Sequence, residues 1–319
     1  MNTELLPPHV QLAIMSREYV VSRVIHAVAQ LGIADQMSDQ AISVKELAKV
    51  TSTIPELLDR VLSFLSDYGL FVKSEQGYAL TSLAQPLRTD HPYSMKEVLR
   101  MVDETWWQAF SDLPTQLTTG TPGFTQQQGM DFFKFYNNNP DIKNQFEKGM
   151  SKLSTFDDQA IAKSFDFGQF KSLVDIGYGR RGLPESISNQ YPDLDILSFE
   201  FDPELITSPK DNSFSTLPSA ESYLFKGILH DFNDEWVQKI LINCHSKMKI
   251  NSSLIITEQV IPENNLPHTN KTMDIIMMVL LGGRQRTLKH WSELVGSVGF
   301  TLNYSIPAQG LFTIMEFRK

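Results

Sequence analysis

Apolar residues crowd the stretch from Val10 to about Leu31, where Val20, Val21, Val24, Ile25, Val28 and Leu31 leave little polar surface. The pattern predicts a helix with so wide an apolar girth that it needs a partner. Next, "SVKELAKV" opens with Ser43 and Glu46 three residues apart. That is the capping-box spacing, in which two side chains satisfy free backbone N–H groups at a helix start. A second helix is predicted from about Ile54, with Leu57, Leu58, Val61, Leu62 and Leu65 on one stripe and Gly69 ending it. "LFVK" and "YALT", joined by "SEQG", then read as a two-stranded wing.

Helix, turn, helix and wing together make a winged-helix unit, which raises DNA binding as one reading. The second helix carries Glu56, Asp59 and Asp67 against a single Arg60, and acidic side chains facing phosphates would repel them. Packing between two copies and walling of a pocket is the favoured use of the unit. Residues 86 to 165 are rich in helical aromatic segments, with Trp106, Trp107, Phe132, Phe133, Phe135 and Tyr136. Such clusters usually form core, and they also suit a pocket for a flat apolar molecule.

After Phe170 the pattern alternates between short apolar runs and amphipathic ones. "SLVDI", "LDILSFE", "YLFKGIL" and "SLIITE" are predicted strands, "LPESISNQY", "DEWVQKILINCHSKM" and "TLKHWSELVGSVG" predicted helices, and "FTLNYSI" with "LFTIMEF" a closing antiparallel pair. The fold class is therefore α/β, a Rossmann-like mostly parallel sheet with helices on both faces, preceded by an all-α and winged-helix region. Ligands of such sheets bind beyond the carboxyl ends of the strands, here Asp175, Glu200, the segment around His230, and Glu258. The expected division is 1–100 for the winged-helix domain, 101–165 for a helical linker and pocket segment, and 166–319 for the α/β domain.

Composition narrows the partners. With a net charge of −9 the chain has no general basic face for nucleic acid or anionic membrane. Cys244 stands alone, the N-terminal residues lack a signal-peptide pattern, and no apolar run reaches the ~18 residues of a membrane helix. These features predict a cytoplasmic protein. The loop "DIGYGRRG" follows the first strand and precedes a helix, a place where freed backbone amides meet a phosphate, a carboxylate or an amino-acid tail. Gly177, Gly179 and Gly182 with Glu200 eighteen residues on also satisfy the dinucleotide fingerprint, leaving an oxidoreductase open at this point.

The blocks "LFKGILHDFNDEWVQKILINCHSKM", "LIITEQVIPEN" and "MDIIMMVLLGGRQRTLKHWSELVGSVGF", in this order, resemble S-adenosylmethionine-dependent O-methyltransferases of the caffeic acid and acetylserotonin type. The winged helix and "FEKGMSKLST" resemble that family's dimerisation region, so the resemblance spans nearly the whole chain. It implies S-adenosylmethionine as cofactor, a small hydroxylated aromatic acceptor, and a homodimer built through the N-terminal helices. It implies His230 as the general base, oriented by Glu258 and by the residue at 285. Asp175, Gly177, Gly179, Glu200, Asn212, Ser213, Lys226, Phe146 and Ser154 would line the cofactor, and Met150 and Met277 would sandwich the acceptor. An unperturbed imidazole, titrating near about 6.5, suits that base. Asp231, Asp234 and Glu235 are read as caps of the helix beginning "DEWVQK" rather than as metal ligands, and no metal is expected.

Three departures from that family fall in one region. Arg181 stands where the loop's third glycine is expected, and the segment between Glu200 and "LPSAESYLFK" is short, leaving Asn212 at the acidic adenine position. Gln285 replaces the second glutamate, so the base is expected to be held yet weakened, because an amide lacks the charge that stabilises imidazolium. The reading is a methyltransferase with an altered cofactor pocket. The alternative is a methyltransferase fold that has lost methyl transfer, serving as a cofactor-independent biosynthetic enzyme or a non-catalytic partner.

Overall fold

The computed structural model describes residues 6–179, 182–200 and 214–319. The chain divides into two compact units, Met1–Asp103 with Pro140–Leu153, and Glu104–Asn139 with Ser154–Lys319. Residues 101–165 are thus shared between the two.

In the first unit the expected long N-terminal helix is two helices, α1 (Pro8–Met15) and α2 (Tyr19–Gln30). The break is local chemistry: the Ser16 hydroxyl donates to the Ala13 carbonyl, and residues 17 and 18 close three-residue turns in place of the α-helical ladder. Helices α3 (Val44–Thr51) and α4 (Pro55–Asp67) follow, then the antiparallel pair β1 (Phe71–Ser74) and β2 (Gly77–Leu80), and α5 (Lys96–Met101). Ser43 caps α3 by accepting from the Glu46 amide at 3.3 Å. Its hydroxyl in turn donates to the Glu46 carboxylate at 2.6 Å, so the box closes through side chains. Val28, Ile33, Leu47, Leu58, Leu62, Leu65, Phe71 and Tyr78 form one core. Asp59, on the helix whose acidity argued against DNA, accepts from the Tyr78 hydroxyl at 2.6 Å and from Lys73 at 3.1 Å, which ties α4 to the wing.

The second unit carries short helices α6 (Glu104–Ser111), α7 (Leu113–Thr119), α8 (Gly123–Gln128) and α9 (Phe132–Asn138), and the later part of α10 (Pro140–Ser164). Then come β3 (Ser172–Gly177), α11 (Gly182–Gln190), β4 (Asp195–Glu200), β5 (Ser222–Lys226), α12 (Asp234–Lys247), β6 (Ser253–Glu258), α13 (Thr269–Leu281), α14 (Leu288–Gly296), β7 (Thr301–Pro307) and β8 (Thr313–Arg318). The sheet order is β4-β3-β5-β6-β8-β7, parallel through β6 and antiparallel at β8 and β7.

Alternation along the central strands produces two cores. Val174, Ile176, Tyr223, Phe225, Leu254, Ile256, Met315 and Phe317 pack with α12 and α14 through Val237, Ile240, Leu241, Trp291 and Val295. Leu173, Leu224, Ile255 and Ile314 point the other way, against Ile161 of α10, Phe165 just beyond it, and Leu183 and Ile187 of α11. Burial on both faces is why the strands read as near-continuous apolar runs. Parallel strands also place Asp175, Glu200, Lys226 and Glu258 at one end of the sheet, since Gly177 pairs with Glu200 and Lys226 with Thr257 in register. No helix among the described residues is long and apolar enough to cross a membrane.

The wing holds a checkable strain point. Gly77 has φ of +128°, and Ile42 bridges to Tyr78 through two backbone hydrogen bonds of 2.9 and 3.0 Å. A Cβ on Gly77 would collide with the Ile42 carbonyl. Gly77→Ala is expected to lower stability in urea denaturation by about 2–3 kcal/mol; an unchanged midpoint would remove this account of the turn.

Candidate active site

The chain leaves β5 through Gly227 and closes a single 3₁₀ turn, Leu229–Asp231, with His230 at its centre. One carboxylate organises that turn. Glu258, the last residue of β6, has no exposed surface, and its Oε1 accepts from the amides of Ile228, Leu229 and His230 at 3.2, 3.0 and 3.3 Å. Its Oε2 stands 2.7 Å from His230 Nδ1. A carboxylate accepts only, so Nδ1 carries the proton and Nε2 is left as the nitrogen able to take one.

The "GGRQRT" segment wraps the same turn from the other side. Gly283 is pressed so closely on the His230 carbonyl that a Cβ there would overlap it, and the Arg284 amide donates to that carbonyl at 2.8 Å. Arg286, only 1% exposed, donates to the carbonyls of Leu229 at 3.3 Å and Phe232 at 2.8 Å and to Asp234 at 2.8 Å. Gln285 is anchored by its amide to Asp274 at 2.8 Å, and its side-chain amide lies 3.2 Å from His230 Nδ1. Because Nδ1–H is a donor, the group that can face it is the amide oxygen. Turning the amide over gives Oε1, a buried atom otherwise without a partner, a place against Nδ1–H.

The expectation of a weakened base meets a different electrostatic setting. Burial of the ring works against the cation and is the largest single influence on His230, but Glu258 and then Asp231 outweigh it and push the histidine up to about 10. Asp231 is the reason that Gln285 does not leave Glu258 as the sole carboxylate at the ring. Its Oδ1 lies 3.3 Å from Nε2, while its Oδ2 accepts from the Tyr178 hydroxyl at 3.0 Å. Asp231 therefore does not cap α12. That cap is Asn233, whose side chain accepts from Trp236 N at 3.0 Å, while Asp234 pairs with Arg286, Arg284 and His290. Among the described residues no group of histidine, cysteine and acidic side chains is arranged to hold a metal.

At the strand ends beside this turn sit the residues assigned to a nucleoside-bearing cofactor. Gly179, at φ +78°, lies so near Glu200 that a Cβ would come within 2.8 Å of the carboxylate, and Gly177 faces open space apart from Ile228. A bare loop beside an exposed strand-end carboxylate fits a ligand with ribose hydroxyls and an amino-acid tail. Burial pushes Asp175 up to about 7, with Asp158 adding to that effect and Lys226 opposing it. Lys226 itself pairs with Asp158 at 2.8 Å. Ser154, one helical turn before Asp158, belongs to the same unit, and Met277 on α13 is buried at 8% exposure. Phe146 and Met150 lie one turn apart on α10 in the first unit. Asn212, Ser213 and Arg181 lie outside the described residues.

Thus the structure brings His230, Glu258 and Gln285 into one cluster, and Asp175, Gly177, Gly179, Glu200 and Lys226 to one end of the sheet. Sequence reasoning missed Tyr178, Asp158 and Arg286, and misplaced Asp231. The signal for Asp231 was its adjacency to His230 in a turn too short to turn both side chains away; for Tyr178 and Asp158 the sequence carried none.

Comparison with known proteins identifies the family of the two domains. Residues 110–301 match the O-methyltransferase domain family, and residues 14–90 match the O-methyltransferase dimerisation domain. The chain is similar to the phenazine O-methyltransferase of Lysobacter antibioticus, 29% identical with 94% of this chain and 93% of that protein covered. It is also similar to the caffeic acid 3-O-methyltransferase of Medicago sativa, 26% identical over 92% and 87% of the two chains. Among solved structures, human N-acetylserotonin methyltransferase in complex with S-adenosylmethionine superimposes with a TM-score of 0.86, at 20% identity and with 100% and 99% of the chains covered, a likeness of fold.

The pair of His230 and Glu258 sets a pH signature on stability. The histidine is raised from 6.5 to about 10 on folding, so its stabilising contribution is complete below about pH 6.5 and is lost as pH rises toward 10. Glu258→Gln should flatten that alkaline decline when urea stability is compared at pH 6.5, 8 and 10; an unaltered profile would mean that the pair contributes nothing.

Proposed function

The chain belongs to the O-methyltransferase family, and on that premise we propose that it methylates a hydroxyl of a small aromatic acceptor with His230 as general base. The observation that carries the reading is the 2.7 Å contact between His230 Nδ1 and a fully buried Glu258, which fixes the ring and leaves Nε2 as the nitrogen for the acceptor's proton. When bound, S-adenosylmethionine would supply a methyl group on a sulfonium, with the neutral thioether as its leaving group. His230 Nε2 receives the acceptor's proton, and Glu258 with Asp231 balances the imidazolium that results. Gly177, Gly179, Glu200, Asp175, Lys226 and Ser154 are the residues assigned to the cofactor, together with Phe146, Asn212 and Ser213; Met150 and Met277 are assigned to the acceptor ring.

We assign a homodimer through α1 and α2. Leu12, Met15, Tyr19 and Leu31 are 66, 62, 67 and 55% exposed in the single chain, and α1 buries no residue in it. These residues fall at or beside the match to the dimerisation domain. Light scattering should give twice the mass of the chain, and a monomer would overturn the assignment.

The catalytic reading is tested by binding and turnover together. Wild type should bind S-adenosylhomocysteine in calorimetry and methylate a phenolic acceptor. His230→Ala should lower kcat by about 10²–10⁴-fold while cofactor affinity changes little. Because the cation predominates below about 10 in the free protein, kcat/KM should rise with pH through the neutral range. Undiminished turnover in His230→Ala removes the histidine as base; absence of any cofactor binding by wild type favours a fold retained without methyl transfer.

A further inference from the structure

The loop after β3 reaches the catalytic turn through one side chain, that of Tyr178. Tyr178 lies between Gly177 and Gly179, partly buried, its ring 5.4 Å from that of Phe133. Its hydroxyl donates to Asp231 Oδ2 at 3.0 Å, and the other oxygen of the same carboxylate stands 3.3 Å from His230 Nε2. Charge-assisted N–H···O bonds run to about 2.7–2.9 Å. At 3.3 Å, Asp231 pairs with Nε2 more loosely than Glu258 pairs with Nδ1 at 2.7 Å, so negative charge remains near Nε2 without a tight bond to it.

Groups from several elements face His230. β6 contributes Glu258, and the turn itself contributes Asp231. The 283–287 segment contributes the neutral amide of Gln285, whereas Arg284 and Arg286 are turned onto Asp234. The loop after β3 contributes Tyr178, acting through Asp231. Two carboxylates therefore flank the ring even though position 285 is an amide. One is locked by three backbone amides. The other belongs to an aspartate at the end of a 3₁₀ turn, with a short side chain that could face solvent instead; the Tyr178 hydroxyl holds it inward.

We propose that Tyr178 is a positioning residue that holds Asp231 beside His230 Nε2, so that Asp231 supplies the second negative charge which Gln285 does not carry. The role rests on His230 being the base. It also couples the two halves of the site, because the loop that carries the cofactor's glycines is hydrogen-bonded to the turn that carries the base. A change in the loop then reaches the proton acceptor through one hydroxyl and one carboxylate.

The test reads His230 directly. Protein labelled with ¹³C at histidine Cε1 is titrated by NMR, with the His230 signal assigned by its loss in His230→Asn. Asp231→Asn should lower the His230 midpoint by about one unit or more, a tenfold change in proton affinity. Tyr178→Phe, which keeps the ring against Phe133, should move the midpoint the same way by a smaller amount. In the double variant Tyr178→Phe should add nothing further, because it acts only through Asp231. An unmoved midpoint in Tyr178→Phe, or additive effects in the double variant, overturns the proposal. The titration does not depend on turnover, so it stands apart from the base assignment, which falls instead if His230→Ala remains active.

Discussion

A wholly buried carboxylate at the end of β6 is the constraint from which the rest of the site follows. Leaving Glu258 without donors would cost far more than any neighbouring contact could return, because an ion in a dry interior needs both opposite charge and hydrogen bonds. The fold meets that demand with three consecutive amides and one imidazole N–H. Three amides can converge on one oxygen only if the backbone coils tightly, which is why the chain beyond β5 forms a 3₁₀ turn there. The same oxygen pair thus shapes the backbone of the turn and selects the tautomer of its histidine.

The turn must also be held from outside, and here a second buried charge enters. Arg286 donates to the carbonyls on either side of His230 while Trp291 lies beneath its guanidinium at 4.7 Å. Its partner Asp234, in the first turn of α12, balances the cation. The planar fork of arginine matches carbonyls and a carboxylate at once, which a lysine ammonium cannot do. Carboxylate from one strand and guanidinium from the opposing segment grip the same turn, so small shifts of His230 relative to the strand ends are resisted from both sides.

How far the sequence carries this picture depends on the kind of physics involved. Elements that repeat at a helical or strand period were legible: β3, β6 and the closing pair β7 and β8 fall where the pattern places them, while β5 stops at Lys226 and the rest of the expected strand "YLFKGIL" runs into the turn at His230. The break in the N-terminal helix was not legible, since it lies in local hydrogen bonding at residues 16–18 that periodicity does not weigh. His230 and Glu258 stood out because both fall in the sequence blocks that carry the family resemblance. Their pairing with Asp231 did not, because a chain of contacts from Tyr178 through Asp231 to His230 crosses 53 positions and leaves no local pattern. Capping logic then claimed Asp231 for α12, although Asn233 was the better cap by position, directly before the helix with its side chain on Trp236 N.

The replacement at 285 gains a different meaning in three dimensions. Judged by residue type alone, glutamine in place of glutamate removes a charge from the base. In the folded chain an anion there would be a third carboxylate around one imidazole, beside a buried Glu258 and a nearby Asp231. Like charges that close disfavour one another's ionised forms. A neutral amide at 285 keeps a hydrogen-bond acceptor at Nδ1–H while limiting the negative charge about the ring to two groups. The proton affinity of His230 depends on that balance as well as on the number of its charged partners: enough anion to hold a proton, not so much that the proton is never released.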